Sequence, residues 1–286
     1  MKDQMTKYLA AAVLIMGVVL TFYPWISNGI YERTAESAAA AYSAAADAVP
    51  DEETERTWKA AEAYNDRLLA SEVTLSDPFT YESAGAGDVN YDTVLNMDGS
   101  GIMCFVEIPK ISVYLPVYHG TSREILQKGA GHVEGTALPI GTEGGRPIIS
   151  AHAGMSSAKM FTDLSCMEEG DLFFIHVLDE TLAYRVVEIL VIEPDDIPAA
   201  AAREGRDLVS LMTCTPYGVN SHRLVVTGER TEYTDGLRRE ADAQSADAGS
   251  EWMRAYRNAV ITALAVIAGI LTASRFIKKL KRKLRK

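Results

Sequence analysis

Residues 208–230 read LVSLMTCTPYGVNSHRLVVTGER. Two apolar runs flank a loop that contains Pro216, Gly218 and Asn220. Cys214 closes the first run and Arg223 opens the second. Pairing the runs as antiparallel strands brings a thiol and a guanidinium together at one end of a sheet. A fixed positive charge favours the thiolate, the nucleophilic form of cysteine. The pair therefore points to covalent acyl chemistry. Two plainer roles stay open: a buried structural thiol for Cys214 and a surface ion pair for Arg223.

Working outward, the texture is β from Gly101 onward. IMCFVEIPKISVYLPVY holds two short apolar runs split by Pro109-Lys110. Residues 146–152 (RPIISAH) form another strand candidate, and 171–176 with 181–192 read as a hairpin around Asp179-Glu180. With 207–212 and 224–228 the set is a series of short strands with little helix between them, which predicts a mainly β, closed or sandwich-like fold. Upstream, 35–70 is rich in Ala and Glu and reads as one or two helices broken near Val49-Pro50, because proline interrupts the helical hydrogen-bond ladder. Pro, Gly, Ser and Asp make 75–89 a loop. Residues 231–250 are polar, acidic and Ala/Gly-rich, the composition of a flexible tether.

Two apolar blocks sit near the ends. Residues 8–30 carry no charge, and 258–277 carry only Arg275. Each approaches the roughly 20 residues that cross a bilayer as a helix. The bulky TFYPW offers no small-x-small cleavage site, so the first block reads as an uncleaved signal anchor, with processing in the Ala-rich stretch after Thr34 left open. The basic segment RFIKKLKRKLRK beside the second block, and Lys2 and Lys7 beside the first, place both termini on the cytoplasmic side. The expectation is a two-pass protein of the cell membrane with its central part outside. Net charge is −11 despite the basic tail, which argues against a nucleic-acid partner. Three cysteines, Cys104, Cys166 and Cys214, leave at least one free thiol in a monomer; a Cys104–Cys166 disulfide stays open.

A cysteine nucleophile needs an acid–base partner and an oxyanion stabiliser. Of five histidines, His152 is best placed, ending a strand candidate just before Ala153-Gly154. His176 lies within an apolar strand, His222 alternates to the face opposite Arg223, and His119 and His132 stand near turns, undecided. No CxxC or HxxxH spacing suggests a metal site.

Several of these segments resemble one family. Ser210-Leu211-Met212-Thr213-Cys214, Pro216-Tyr217-Gly218 and His222-Arg223-Leu224 resemble the Thr-Leu-x-Thr-Cys signature of the sortases and its following arginine. Ser150-Ala151-His152-Ala153-Gly154, Phe161-Thr162-Asp163-Leu164 and Glu169-Gly170-Asp171 resemble the family's histidine segment. Asp77-Pro78-Phe79 resembles the lid of the class C, pilus-building branch. The resemblance covers roughly 55–230; Ser210 stands where threonine is common, and Phe79 where tryptophan also occurs.

The resemblance implies an eight-stranded β-barrel with an N-terminal helical extension and a lid loop, flanked by two transmembrane helices. It divides the chain into an anchor at 1–30, a stalk at 31–74, a lid at 75–90, a catalytic barrel at 91–230, an acidic linker at 231–255, a second span at 256–275 and a basic tail at 276–286. It implies Cys214 as nucleophile, His152 as acid and base, Arg223 as oxyanion or carbonyl clamp, and Asp77, Pro78 and Phe79 as an autoinhibitory lid. No cofactor or metal is implied. The implied partners are pilins or surface proteins bearing LPxTG-like sorting signals, with a lysine amine as acceptor. Alternatives are a sortase that anchors surface proteins to cell-wall peptide, a cysteine protease and a non-enzymatic adhesin.

Overall fold

A computed structural model describes residues 2–71, 75–80, 91–155, 157–200, 205–248 and 251–283. The chain divides into two units, one of residues 1–21 with 249–286 and one of 22–248.

The larger unit is built on a closed barrel. Its strands are β1 (Ile102–Ile108), β2 (Val113–His119), β3 (Ala130–His132), β4 (Ile148–Ser150), β5 (Leu172–Val177), β6 (Glu180–Ile192), β7 (Leu208–Thr215) and β8 (His222–Thr231). They run around the barrel in the order β1-β2-β3-β4-β7-β8-β6-β5, with β5 closing onto β1. Closure leaves no unpaired sheet edge. The short strand β3 carries Gly131 for a steric reason: a Cβ there would lie 2.3 Å from the Gly120 carbonyl oxygen. Inside the barrel, Phe173 stacks on Tyr184 with centroids 5.4 Å apart, among Val106, Val209, Leu211 and Val226.

Helices dress this barrel. Helix α1 (Lys2–Ala48) passes residue 30 without a break, so the expected anchor and the first part of the expected stalk share one helix, with Pro24 inside it. Ala35, Ala39 and Tyr42 are buried at helical spacing, and the Tyr42 hydroxyl donates to the Met103 carbonyl at 2.9 Å while accepting the Leu178 N–H at 3.1 Å. Helix α2 (Asp51–Leu69) follows Pro50, with Asp51, Glu52 and Glu53 in its first turn, where acidic groups meet the positive end of the helix dipole. A short helix α3 (Arg123–Lys128) precedes β3.

The linker is a finding against expectation. Residues 235–248 form helix α4 (Asp235–Ala248) rather than a tether. Leu237 and Ala241, one turn apart, are buried against Leu172, Phe174 and Ala183, and Arg238 pairs with Glu107 at 2.8 Å. Helix α5 (Glu251–Lys283) carries the second apolar block. Among the described residues, no helix is long and apolar enough to cross a membrane, so the two expected spans are not supported. Residues 72–74 of the expected stalk, 81–90 of the lid, 249–250 of the linker and 284–286 of the tail lie outside the described residues.

Candidate active site

β7 and β8 pair antiparallel with Cys214 opposite Arg223 and Thr215 opposite His222. On its other side β7 pairs in parallel with β4, Ser150 opposite Met212. Carried two residues further, that register sets His152 level with Cys214. Two hydrogen bonds tie the strand ends: Ala151 N–H donates to the Met212 carbonyl at 3.1 Å, and Thr213 Oγ1 donates to the Ala151 carbonyl at 2.7 Å. Thr213 thus links the strand carrying the thiol to the chain one residue before the imidazole. The sequence showed it only as part of a motif.

The loop after His152 turns at Gly154, whose φ is +80°, a conformation natural to glycine. It folds back so that Phe161 N–H reaches the His152 carbonyl at 3.0 Å and Gly154 N–H reaches Thr162 Oγ1 at 3.0 Å.

Asp77 lies against Arg223. Its Oδ1 accepts from Nε at 2.8 Å and its Oδ2 from Nη2 at 2.6 Å. The two side chains are 5% and 8% exposed. Nη1 donates to the Asn220 and His222 carbonyls at 3.0 and 2.9 Å. These contacts occupy four of the five N–H donors of a guanidinium. Pro78 is buried at the start of a single 3₁₀ turn, Pro78–Thr80, closed by a Thr80 N–H bond to the Asp77 carbonyl at 3.2 Å. The Phe79 ring meets two of the expected site residues. Its centroid is 5.8 Å from that of His152 and 5.1 Å from the Arg223 guanidinium carbon, within cation–π range.

Leu75 and Phe79 also pack on an apolar strip made by Val133, Ile148, Ile192, Ile197, Met212 and Val225. Side chains alternate along a strand, so Met212 and Val225 share the sheet face of Cys214 and Arg223. Further along that face the buried Arg146 donates to Ser210 Oγ at 2.7 Å and to Thr227 Oγ1 at 2.6 Å.

The electrostatics are opposed. Burial raises the Cys214 thiol; Arg223 pulls it down and Asp77 pushes it up, leaving it above its ordinary value. Burial lowers the His152 imidazole. Both shifts favour the neutral pair while Asp77 is in place.

The remaining histidines sit elsewhere in the fold. His119 and His132 are buried. His119 lies 2.8 Å from the Val94 carbonyl and 3.0 Å from that of Gly101, and His132 contacts Tyr91 and the Ala137 carbonyl. His176 meets Glu107 at 2.8 Å, and His222 turns to Glu193 at 3.1 Å. Cys104, Cys166 and Cys214 form no disulfide with one another. Among the described residues no group of His, Cys, Asp and Glu could hold a metal ion.

Comparison with known proteins converges on one family. A family model described as the sortase domain matches residues 106–231. The crystal structure of sortase C-1 from Streptococcus pneumoniae is 41% identical and superposes with a TM-score of 0.63, covering 68% of this chain and 98% of that one. Sortase C1 of the group B Streptococcus pilus island 1 is 37% identical with a TM-score of 0.63, covering 68% and 98%. The curated Sortase D of Bacillus subtilis is 28% identical over 134 residues, 46% of this chain and 63% of its own length.

Proposed function

The chain belongs to the sortase family, whose members are cysteine transpeptidases, and from that premise we propose that it cleaves an LPxTG-like sorting signal through a thioester on Cys214 and passes the acyl group to a pilin lysine. One observation carries this reading: Cys214 and Arg223 face each other across β7 and β8 at the barrel end where β4 delivers His152.

The residues divide the chemistry as follows. The Cys214 thiolate attacks the threonine carbonyl carbon. Arg223, once released from Asp77, donates to the oxyanion; a planar and permanently charged fork suits that task. The threonine–glycine C–N bond breaks, and protonated His152 gives its proton to the departing amine. The acceptor amine then attacks the thioester carbonyl and loses a proton to His152. The C–S bond breaks, regenerating the Cys214 thiolate and leaving an amide. A lysine acceptor makes that amide an isopeptide bond. The apolar strip under Leu75 and Phe79 fits the leucine and proline of such a signal.

Asp77, Pro78 and Phe79 act in this reading as an autoinhibitory lid. Support comes from the two-point grip of Asp77 on Arg223 and the Phe79 ring against His152. The pilus assignment is supported by the likeness to a sortase of a pilus island. Membrane anchoring rests on the uncharged run 8–30 and the basic tail after 277. Along α1, Ile15, Val19, Leu20 and Trp25 are exposed, as are Ile261 and Leu264 on α5.

The acceptor decides the reading. Purified protein given a sorting peptide should release product slowly alone and several-fold faster with a lysine-bearing pilin segment, forming the joined peptide. Equal release with only the hydrolysed acid would identify a protease. Joining only to cell-wall peptide would identify an anchoring sortase.

A further inference from the structure

Helix α1 reaches the histidine loop. Asn28 is only 6% exposed, although Trp25, Ile26 and Ile30 around it are exposed. Its Oδ1 accepts the N–H of Lys159 at 2.8 Å, and its Nδ2 donates to Glu32 Oε1 at 2.8 Å. The neighbouring Ser27 Oγ donates to the Ser157 carbonyl at 2.9 Å. A buried amide is held by the direction of its bonds, and here both ends of the amide are used.

Lys159 is itself buried, with its ammonium 3.1 Å from Asp163 and bonded to the Ile111 carbonyl. From Lys159 the contacts return to the histidine. Thr162 Oγ1 donates to the Lys159 carbonyl and accepts the Gly154 N–H at 3.0 Å. Phe161, fully buried, donates its N–H to the His152 carbonyl at 3.0 Å. A continuous path of hydrogen bonds and packed backbone therefore joins α1 to His152 itself and to Gly154 two residues on, where the chain leaves β4.

We propose that Asn28 and Ser27 make α1 a positioning element for catalysis, clamping the loop at 157–163 so that His152 stays level with Cys214. The proposal rests on the sortase reading of the site. Asn28 is a positioning residue and touches no reacting atom. Its effect is large because misplacing a catalytic group by about 1 Å costs on the order of 100-fold in rate.

The test uses the full chain, comparing the native protein with Asn28→Leu, Ser27→Ala and the swap Asn28→Asp/Glu32→Gln. The swap keeps an acceptor for Lys159 N–H and a donor facing it from position 32. Thioester formation with an LPxTG peptide gives kcat and KM, and labelled-histidine NMR gives the titration of His152. Asn28→Leu should lower kcat by about 10- to 100-fold with KM within about twofold. It should also move the His152 titration upward, because a loosened loop admits water. The swap should recover most of the loss. Native kcat and native titration in Asn28→Leu would overturn the proposal. Should Asn28→Leu fail to fold, Ser27→Ala decides: a fall of about threefold with the same upward movement supports the clamp, and no change in either overturns it. A native chain that forms no thioester refutes the sortase reading, while the His152 titration still shows whether α1 holds the loop.

Discussion

Asp77 and Arg223 form a buried two-point ion pair, 2.8 and 2.6 Å long, between the short turn after Leu75 and the first residues of β8. The pair has two effects at once. It occupies the guanidinium on the strand facing Cys214, and it places a carboxylate that pushes the thiol toward its neutral form. A buried pair is costly to break by removing one partner, because the other is left uncompensated. Here Arg223 has two further carbonyl partners, Asn220 and His222, that do not depend on Asp77.

Asp77→Ala removes both effects. Labelling of Cys214 by a small thiol reagent at neutral pH should be about tenfold faster or more, since the thiolate is the reactive form. Stopped-flow labelling of native and variant protein checks this, and equal rates would contradict autoinhibition by the turn.

Arg223→Lys keeps the charge and loses the fork. One ammonium cannot serve both Asp77 oxygens together with the Asn220 and His222 carbonyls. Thioester formation should fall by about 100-fold, while the thermal midpoint changes by only a few degrees. Parallel peptide kinetics and calorimetry measure both.

At the other end of β7 lies a group with a pH signature. Burial raises the Asp207 carboxyl from 3.8 to about 6, against the Tyr184 hydroxyl bond at 3.1 Å. The folded protein holds this proton more tightly than the unfolded chain does. The stability it gives is full below the unfolded value and is lost as pH rises through about 6. Asp207→Asn keeps an acceptor and cannot ionise. It should raise the thermal midpoint by about 2–4 °C near pH 8 and leave it almost unchanged near pH 3.5. An equal gain at both pH values would assign the effect to something other than this carboxyl.

Gly228 tests the barrel interior. A Cβ at this position would lie 2.4 Å from Phe173 Cε1 and 2.9 Å from Tyr184 Cβ. Gly228→Ala should cost about 1–3 kcal/mol by overpacking, read as a lower urea midpoint with an unchanged slope. An unaffected midpoint would show that the ring pair yields freely.

What the sequence revealed follows from how local each signal is. β1, β2, β5, β6, β7 and β8 are written as apolar runs with turn residues between them. β3 is Ala130, Gly131 and His132, and its glycine answers to a distant carbonyl rather than to any strand pattern. Helix α4 hides behind an acidic composition because its buried apolar contact rests on just Leu237 and Ala241 among the described residues, with Arg238 and Glu240 adding ion pairs to the barrel. At the site, the approach of Cys214 and Arg223 is legible because one loop sets it, and His152 is legible as the end of a strand. The bonds from α1 to the histidine loop join residues 130 and 131 positions apart, a separation at which sequence pattern carries no register. The Asp77–Arg223 bonds span 146 positions; the lid motif singled out Asp77, and no spacing tied it to Arg223.

The central claim is that Cys214 becomes acylated. Intact-protein mass spectrometry after incubation with an LPxTG-bearing peptide tests it most directly. The protein should gain the mass of the N-terminal peptide fragment, lose it again on addition of hydroxylamine, and show no gain in Cys214→Ala. A mass gain that persists in Cys214→Ala, or no gain in a folded protein across a panel of sorting peptides even after Asp77→Ala has released the turn, would contradict it.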